Sequence, residues 1–527
     1  MRQVPVCGPG LVDGQPGIPH ELLGGRIASA VPPGCTVEDV DVIVIGGGGS
    51  GLAAASTAAA LGRRVVLFEK CPALGGTTAW SVGSVSASNT PHQRREGIQD
   101  SPHDHWEDLG LFCGADVVRD NRALGRVLAD HAPETFAWLL SSGLRFVGPT
   151  PEPPHRRPRM HNILPNSKAF PHHLGRLCRK LGVRIELETR VDSLLVEQGR
   201  VTGVVATRTG RGAVAWKARG GVVLAAGDFA GSPALKTHYA TAPLATVDAM
   251  NPASTGDGIL LGLAAGGVVR NGDHLRGPFL RFVPPAKPHW LQRLPPHPLV
   301  TGLMAWAYRH VPPSLLRPVL MRFVTTSLAP EAAIFRAGAA LVDTAGRLID
   351  LAGRNVHDAV AALPDSMAYI VFDVRTAKLF TSWPNYVSTA PGVAYAYLDD
   401  YRRTRADIFH EGATVAELAA KLRVDVRTLA DSMAAAGSGD KAVSQVTDGP
   451  LYALGPAKAY VVFTNGGLDV SLRLEVLDSN GAPIPGLFAA GSNGQGGLLL
   501  EGHGHHLMWA FASGRLAGRH AAYASAR

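Results

Sequence analysis

Close to its C-terminus the chain carries Glu501-Gly502-His503-Gly504-His505-His506, three imidazoles around one glycine, ahead of an apolar run from Leu507 to Arg515. Imidazoles in such a turn can ligate a metal, cap the turn, or exchange a proton and polarise a carbonyl near neutral pH. The spacing weighs against metal, because it does not set the ligands on one helical face and no carboxylate pattern accompanies it. The other two readings stay open. If the apolar run is a helix beginning near Gly504, its positive end faces the bound group and lowers histidine pKa, so neutral imidazoles are expected there.

Such groups need a scaffold, and the N-terminal third supplies its clearest part. Asp41 to Ile45 reads as a buried parallel strand, Gly46-Gly47-Gly48-Gly49-Ser50-Gly51 as a tight turn, and Leu52 to Leu61 as an alanine-rich helix. A second apolar strand, Val65 to Phe68, finishes in Glu69. Strand, glycine turn, helix, strand and acid is the dinucleotide-binding order. Gly46 permits the turn, Gly48 lets the backbone approach a pyrophosphate, and Gly51 lets helix and strand pack closely, while the helix N-terminus offers N–H groups to the phosphates. Glu69 is the expected ribose ligand. The uncharged stretch from Val42 to Gly62 is long enough for a membrane span, but its glycine cluster argues for this turn instead.

Lys70 to Gly83 follows the acid and contains G-G-T-T-A-W-S-V-G from Gly75 through Gly76, Thr77 and Thr78 to Gly83. Here the chain resembles the fumarate reductase and succinate dehydrogenase flavoproteins, a family that includes the 3-ketosteroid dehydrogenases. Gly221 to Phe229, Thr255-Gly256-Asp257-Gly258, Gly466 to Leu468, Pro485 to Gly491 and Ser513 to Gly518 are similar to later family segments and stand in the family's order. The resemblance implies FAD, with Gly49, Ser50, Lys70, Ala226, Gly227, Asp257, Gly491, Ser492 and Asn493 among its ligands. Val191 would lie by the adenine. Histidine is absent from Lys70 to Thr90, where succinate dehydrogenases attach flavin covalently, so the cofactor is expected to be non-covalent.

The resemblance also distributes roles at the imidazole turn. His503 precedes the glycine where relatives place a substrate-polarising residue, so His503 and Gly504 form the expected catalytic turn, with His505, His506 and Leu507 serving the flavin. The turn lacks the tyrosine of the ketosteroid enzymes and the Asn-Arg pair of the fumarate enzymes. A loose similarity around Gly346 to Arg354 makes Arg354 a candidate proton donor; a surface arginine after a hairpin is the ordinary alternative.

The expected fold class is α/β, a Rossmann-like FAD-binding domain of glutathione-reductase type, residues 1–272 and 446–527, with an inserted α+β cap domain over 273–445. Short β-rich runs, Val183 to Leu187, Val191 to Leu195, Val201 to Thr207 and Val214 to Ala218, suggest a meander before a strand at Val222. Asn121 to Ser142 has helical spacing, with Pro133 expected to divide it.

A chain of 527 residues, 46% hydrophobic and 18% charged, can build several cores and is not a disordered protein. A net charge of +8 spread over this length, with no basic-aromatic periodicity, excludes nucleic acid as the first partner. The five scattered cysteines (Cys7, Cys35, Cys71, Cys113, Cys178) form no C-x-x-C pair; this fits a reducing cytoplasm and leaves no cluster or haem motif. A separate electron-transfer partner is therefore a second expectation. Arg156 to Arg159, with His155 and His161, reads as solvated loop charge able to attract an anion. The run from His274 to Pro330 has no Asp or Glu, seven Arg or Lys, and the exposed-looking aromatics Phe279, Phe282, Trp290, Trp306, Tyr308 and Phe323. Two readings follow: contact with an anionic membrane surface or a lipid-substrate mouth, and packed helices with arginines snorkelling at a surface or subunit contact.

The functional expectation is hydride transfer between FAD and a C–C bond next to a carbonyl in a small-molecule substrate, in either direction. A bulky, mostly apolar substrate is the main reading. A fumarate-reductase-like enzyme on a small carboxylate and a flavin binder without turnover are the alternatives.

Overall fold

The computed structural model describes residues 18–525 except 34, 209, 211, 241, 288, 326, 327, 329, 352, 391–393 and 437–449. Cys7 therefore lies outside the described residues. A mixed nine-stranded sheet forms the first layer. Its parallel part is Arg184–Glu186, Val65–Phe68, Val37–Ile45, Gly212–Leu224 and Pro483–Ala489, in that spatial order. Val42 to Ile45 and Val65 to Phe68 are buried on both faces, as strands covered by helices must be. Thr189–Glu197 and Arg200–Arg208 extend the sheet by antiparallel pairing.

The helix Gly49–Ala60 begins three residues earlier than its alanine run suggests, so Gly49, Ser50 and Gly51 form its first turn. The C-terminal helix His505–Ala524 packs against it. The two backbones approach so closely that a Cβ on Gly514 would stand 2.3 Å from Ser50 O, and one on Gly518 2.2 Å from Ala54 O. Small residues on both helices thus let the C-terminal helix lie flat against the helix of the glycine turn.

Several expectations are corrected. The helix Arg122–Ser141 runs unbroken through Pro133, because burial of Leu124, Leu128, Phe136 and Leu139 along one face outweighs the lost hydrogen bond. Arg184–Glu186 is the edge of the parallel array, not part of a meander, and the runs at Val214 and Val222 are one bulged strand, Gly212–Leu224. Arg159, His155 and His161 are buried instead of solvated, as is Phe282; Phe279 is half-buried beside Arg276 and His357. The Phe323 side chain lies outside the described part.

A second core surrounds the five-stranded antiparallel sheet of Phe279–Phe282, Leu451–Tyr460, Met367–Phe372 and Ala340–Val342, with Phe409–Gly412 also on Leu451–Tyr460. Leu451–Tyr460 is the central strand, so this second unit reaches past residue 445, and Ala230, Val247 and Ala249 pack into its core from before residue 273. The junction is blurred because both units are built from crossings of the same chain. Among the described residues no helix is long and apolar enough to cross a membrane.

Candidate active site

A cleft with about 860 Å³ of open space runs along the carboxyl ends of the parallel strands. Of the expected cofactor ligands, Gly46, Gly48, Gly49, Ser50, Glu69, Lys70, Gly76, Thr77, Thr78, Val191, Ala226, Gly227, Asp257 and Ser492 line it. The glycines divide into two kinds. A Cβ on Gly51 would meet Gly46 O at 1.8 Å and one on Gly46 would meet Ala225 O at 2.3 Å, so these are required by the protein's own packing. A Cβ on Gly48 would meet nothing closer than Gly75 O at 3.9 Å. Its open side faces the cleft, where a missing side chain serves an occupant. The N-cap Gly48 has no side chain to cap its helix; Thr78 Oγ1 accepts from the Gly49 amide at 3.0 Å, and the rest of the positive end is left for a diphosphate.

Around this cradle the polar groups are ordered by the chain itself. Glu69 accepts hydrogen bonds from the Gly47 and Cys71 amides, both at 2.8 Å. Lys70 pairs with Asp257 at 2.7 Å. Burial works to raise the Asp257 pKa, but the Lys70 interaction outweighs it and holds the carboxyl below its ordinary range. Asn493 accepts from the Ala226 amide at 2.9 Å, while its buried Nδ2 has no partner in the protein. Burial pushes Asp228, on the cleft wall, up to about 7. An unmatched buried donor, a phosphate-ready helix end and an unfilled glycine face together fit a dinucleotide.

The other expected ligands have supporting places. Gly75 donates to Gly47 O at 2.9 Å, Gly83 packs on Ile163, and Gly491 donates to Ser513 Oγ at 2.8 Å. Leu507 is half-buried against the core.

At the imidazole turn, Gly504 takes φ +86° and begins the helix without a side-chain cap. A Cβ there would strike Ser86 N at 2.6 Å. His503 is half-exposed, and the Glu152 carboxylate accepts from its Nδ1 at 2.5 Å and from its main-chain amide at 2.9 Å. Burial works to raise the Glu152 pKa, but the His503 hydrogen bonds and charge outweigh it, leaving an ionised carboxylate. Nδ1 is therefore the protonated nitrogen and Nε2 the one that can exchange a proton.

His505 points the other way, into a buried cluster with His105 and His155. Arg159 donates to His155 Nδ1 at 2.8 Å, His155 Nε2 lies 3.0 Å from His505 Nε2, and His505 Nδ1 meets Glu501 O. These contacts fix the tautomers of both rings. Burial, aided by neighbouring positive charge, pushes His155 down to about 2 and His506 to about 3 and holds His505 below its ordinary value. The neutral imidazoles expected beside the helix end are present, but desolvation is their first cause. Phe463 packs on His506, whose buried Nε2 has no partner.

Arg354 is exposed and donates to Leu351 O and Asp350 O in its own loop, with no bond to the imidazole turn. Glu152 was not legible, because nothing in the sequence ties it to position 503. Asn251, Ser254 and Asp228 also line the cleft; Ser254 stands directly before Thr255-Gly256-Asp257 and Asn251 four residues before Thr255, so that segment is the signal that could have found them.

The family described as an FAD binding domain matches residues 41–295 and 297–499. The chain belongs to this FAD-binding family. As a member it is an FAD-dependent oxidoreductase with non-covalently held FAD. This flavoprotein is similar to the urocanate reductase of Eggerthella lenta, 27% identical over 93% of this chain and 76% of that one. It is also similar to a cytochrome fumarate reductase of Shewanella frigidimarina, 24% identical over 92% and 77%. Its fold is that of an open-conformation flavocytochrome c3 fumarate reductase: TM-score 0.70, 22% identity, 94% of this chain and 80% of that chain.

Proposed function

We propose that this flavoprotein reduces a C=C bond conjugated to a carboxylate, with the second, antiparallel unit acting as a cap over the flavin. The observation that carries the reading is the half-exposed His503 ring, anchored by Glu152 at the uncapped amino end of the helix His505–Ala524. Two similar proteins, the urocanate and fumarate reductases, are named for conjugated acids. That favours a carboxylate over the bulky, apolar substrate expected from the missing family motifs.

FAD supplies the hydride. Gly46, Gly48, Gly49 and Ser50 would hold its diphosphate, Glu69 its ribose and Val191 its adenine. The helix end beginning at Gly504 favours negative charge on the substrate carboxylate, which stabilises the enolate-like charge that develops when hydride reaches the β-carbon. His503 then delivers a proton from Nε2 to the α-carbon, while Glu152 keeps the ring oriented and its Nδ1 protonated. Buried neutral His505 and His506 add no competing charge to that end. Reducing equivalents come from a separate donor.

The test is anaerobic turnover with a reduced viologen dye. Urocanate, fumarate, acrylate and a cyclic enone would be offered in parallel, with saturated product quantified. Faster reduction of one or more acids than of the enone supports the reading. Turnover of the enone alone contradicts the carboxylate assignment.

A further inference from the structure

The acid-free run from His274 to Pro330 touches the site above at its start, where Arg276 pairs with Glu501 at 2.9 Å, but beyond the strand Phe279–Phe282 none of its residues lines the cleft. It folds into the short turn Trp290–Arg293 and the helices Pro298–His310 and Pro313–Val324, which pack against one another. In Pro298–His310 only Thr301 is buried. Leu299, Leu303 and Trp306, spaced to share one helical face, are 77%, 65% and 55% exposed. Leu315 and Val319, one turn apart on the second helix, are 70% and 42% exposed, and Trp290 is 64% exposed. Single exposed apolar residues are ordinary, but aligned rows on two adjoining helices mark an interaction surface.

The surface is fastened to the body at both ends. Asn166 donates to Gln292 O at 3.2 Å, and His173 meets Pro296 O at 3.1 Å. On the other side Arg317 pairs with Asp400 and donates to Tyr395 O at 3.1 Å. Tyr395 and Trp383, rings 5.1 Å apart and both exposed, continue the patch there.

We infer that this face docks on an anionic lipid bilayer, with the leucine and tryptophan rows in the interface and the basic side chains at the headgroups. Exposed Lys287, Arg293, Arg309 and Arg322 interleave with the apolar rows, and no carboxylate of the segment opposes them. Helices with leucine and tryptophan on one side and basic residues beside them lie in the plane of a membrane surface. Negative lipid complements this charge; a second copy of the chain would set cation against cation.

The FAD-loaded protein would be sedimented with vesicles of phosphatidylcholine alone and of phosphatidylcholine mixed with phosphatidylglycerol, and its mass in solution measured in parallel. The expected result is binding to the mixed vesicles, weakened by salt. Leu303→Asp should weaken it about tenfold or more, and Arg293→Gln or Arg309→Gln about fivefold each, with the flavin spectrum unchanged. Because the two arginine variants alter only exposed charge, they keep the test decisive if Leu303→Asp fails to fold. Failure to bind mixed vesicles, or equal binding by the arginine variants, would overturn the inference. So would a dimer that Leu303→Asp dissociates without any vesicle binding.

Discussion

Glu152 holds His503 at two points, the ring Nδ1 at 2.5 Å and the main-chain amide at 2.9 Å. One carboxylate thus fixes both the rotamer and the backbone of the residue proposed to donate the proton. Its second oxygen is buried without a partner. A buried carboxylate that accepts from both the ring and the amide orients the imidazole, the arrangement a proton donor needs.

The two kinds of cleft glycine should respond differently to the same added methyl group. In Gly51→Ala the new Cβ meets Gly46 O at 1.8 Å, so the apoprotein should lose about 1–3 kcal/mol of stability. In Gly48→Ala the methyl clears the protein, so apoprotein melting should hold while the FAD dissociation constant rises about tenfold or more. Thermal melts and flavin titrations of the two apoproteins check this pair, and equal loss of stability in both would refute it.

Arg159 is fully buried and bonds Asp100 through two nitrogens at 2.7 Å, Asp108 at 2.5 Å and His155 at 2.8 Å. Arg159→Ala leaves the buried Asp100 without its cation, takes from Asp108 one of its two arginines, the other being Arg156 at 2.7 Å, and frees the His155 tautomer. The expected cost is about 3–5 kcal/mol, read from the urea midpoint. A change within experimental error would show that the network is not what orders this loop.

Burial raises the Asp228 pKa to about 7 in the folded chain. Between the unfolded value, near ~4, and about 7 the folded state therefore binds the extra proton. The stability this group contributes is complete below the unfolded pKa and is lost as pH rises toward the folded one. Across that window the melting temperature of wild-type apoprotein should fall relative to Asp228→Asn. A difference between the two that stays constant with pH would contradict the assignment.

The glycine turn was legible because a phosphate-binding helix start needs particular residues a few positions apart, whereas the close approach at Gly514 and Gly518 shows only once the two helices are packed. Glu152 was not legible: it lies in a proline-rich loop and meets His503 only through the fold. The buried state of Arg159 and His155 was hidden for the same reason, since their charge reads as solvated until Asp100 and Asp108 are brought to it. Pro133 misled because a local helix rule was outweighed by tertiary packing. That Leu451–Tyr460, late in the chain, pairs with Phe279–Phe282 and Met367–Phe372 far earlier in it is a relation no local run of sequence shows.

The most direct measurement follows the bound, reduced flavin on anaerobic mixing with a saturating conjugated acid that the wild-type protein turns over. His503→Gln and Glu152→Gln should keep their flavin spectra yet reoxidise about 10²–10⁴-fold more slowly. Reoxidation at the wild-type rate in both variants would remove the pair from the reaction.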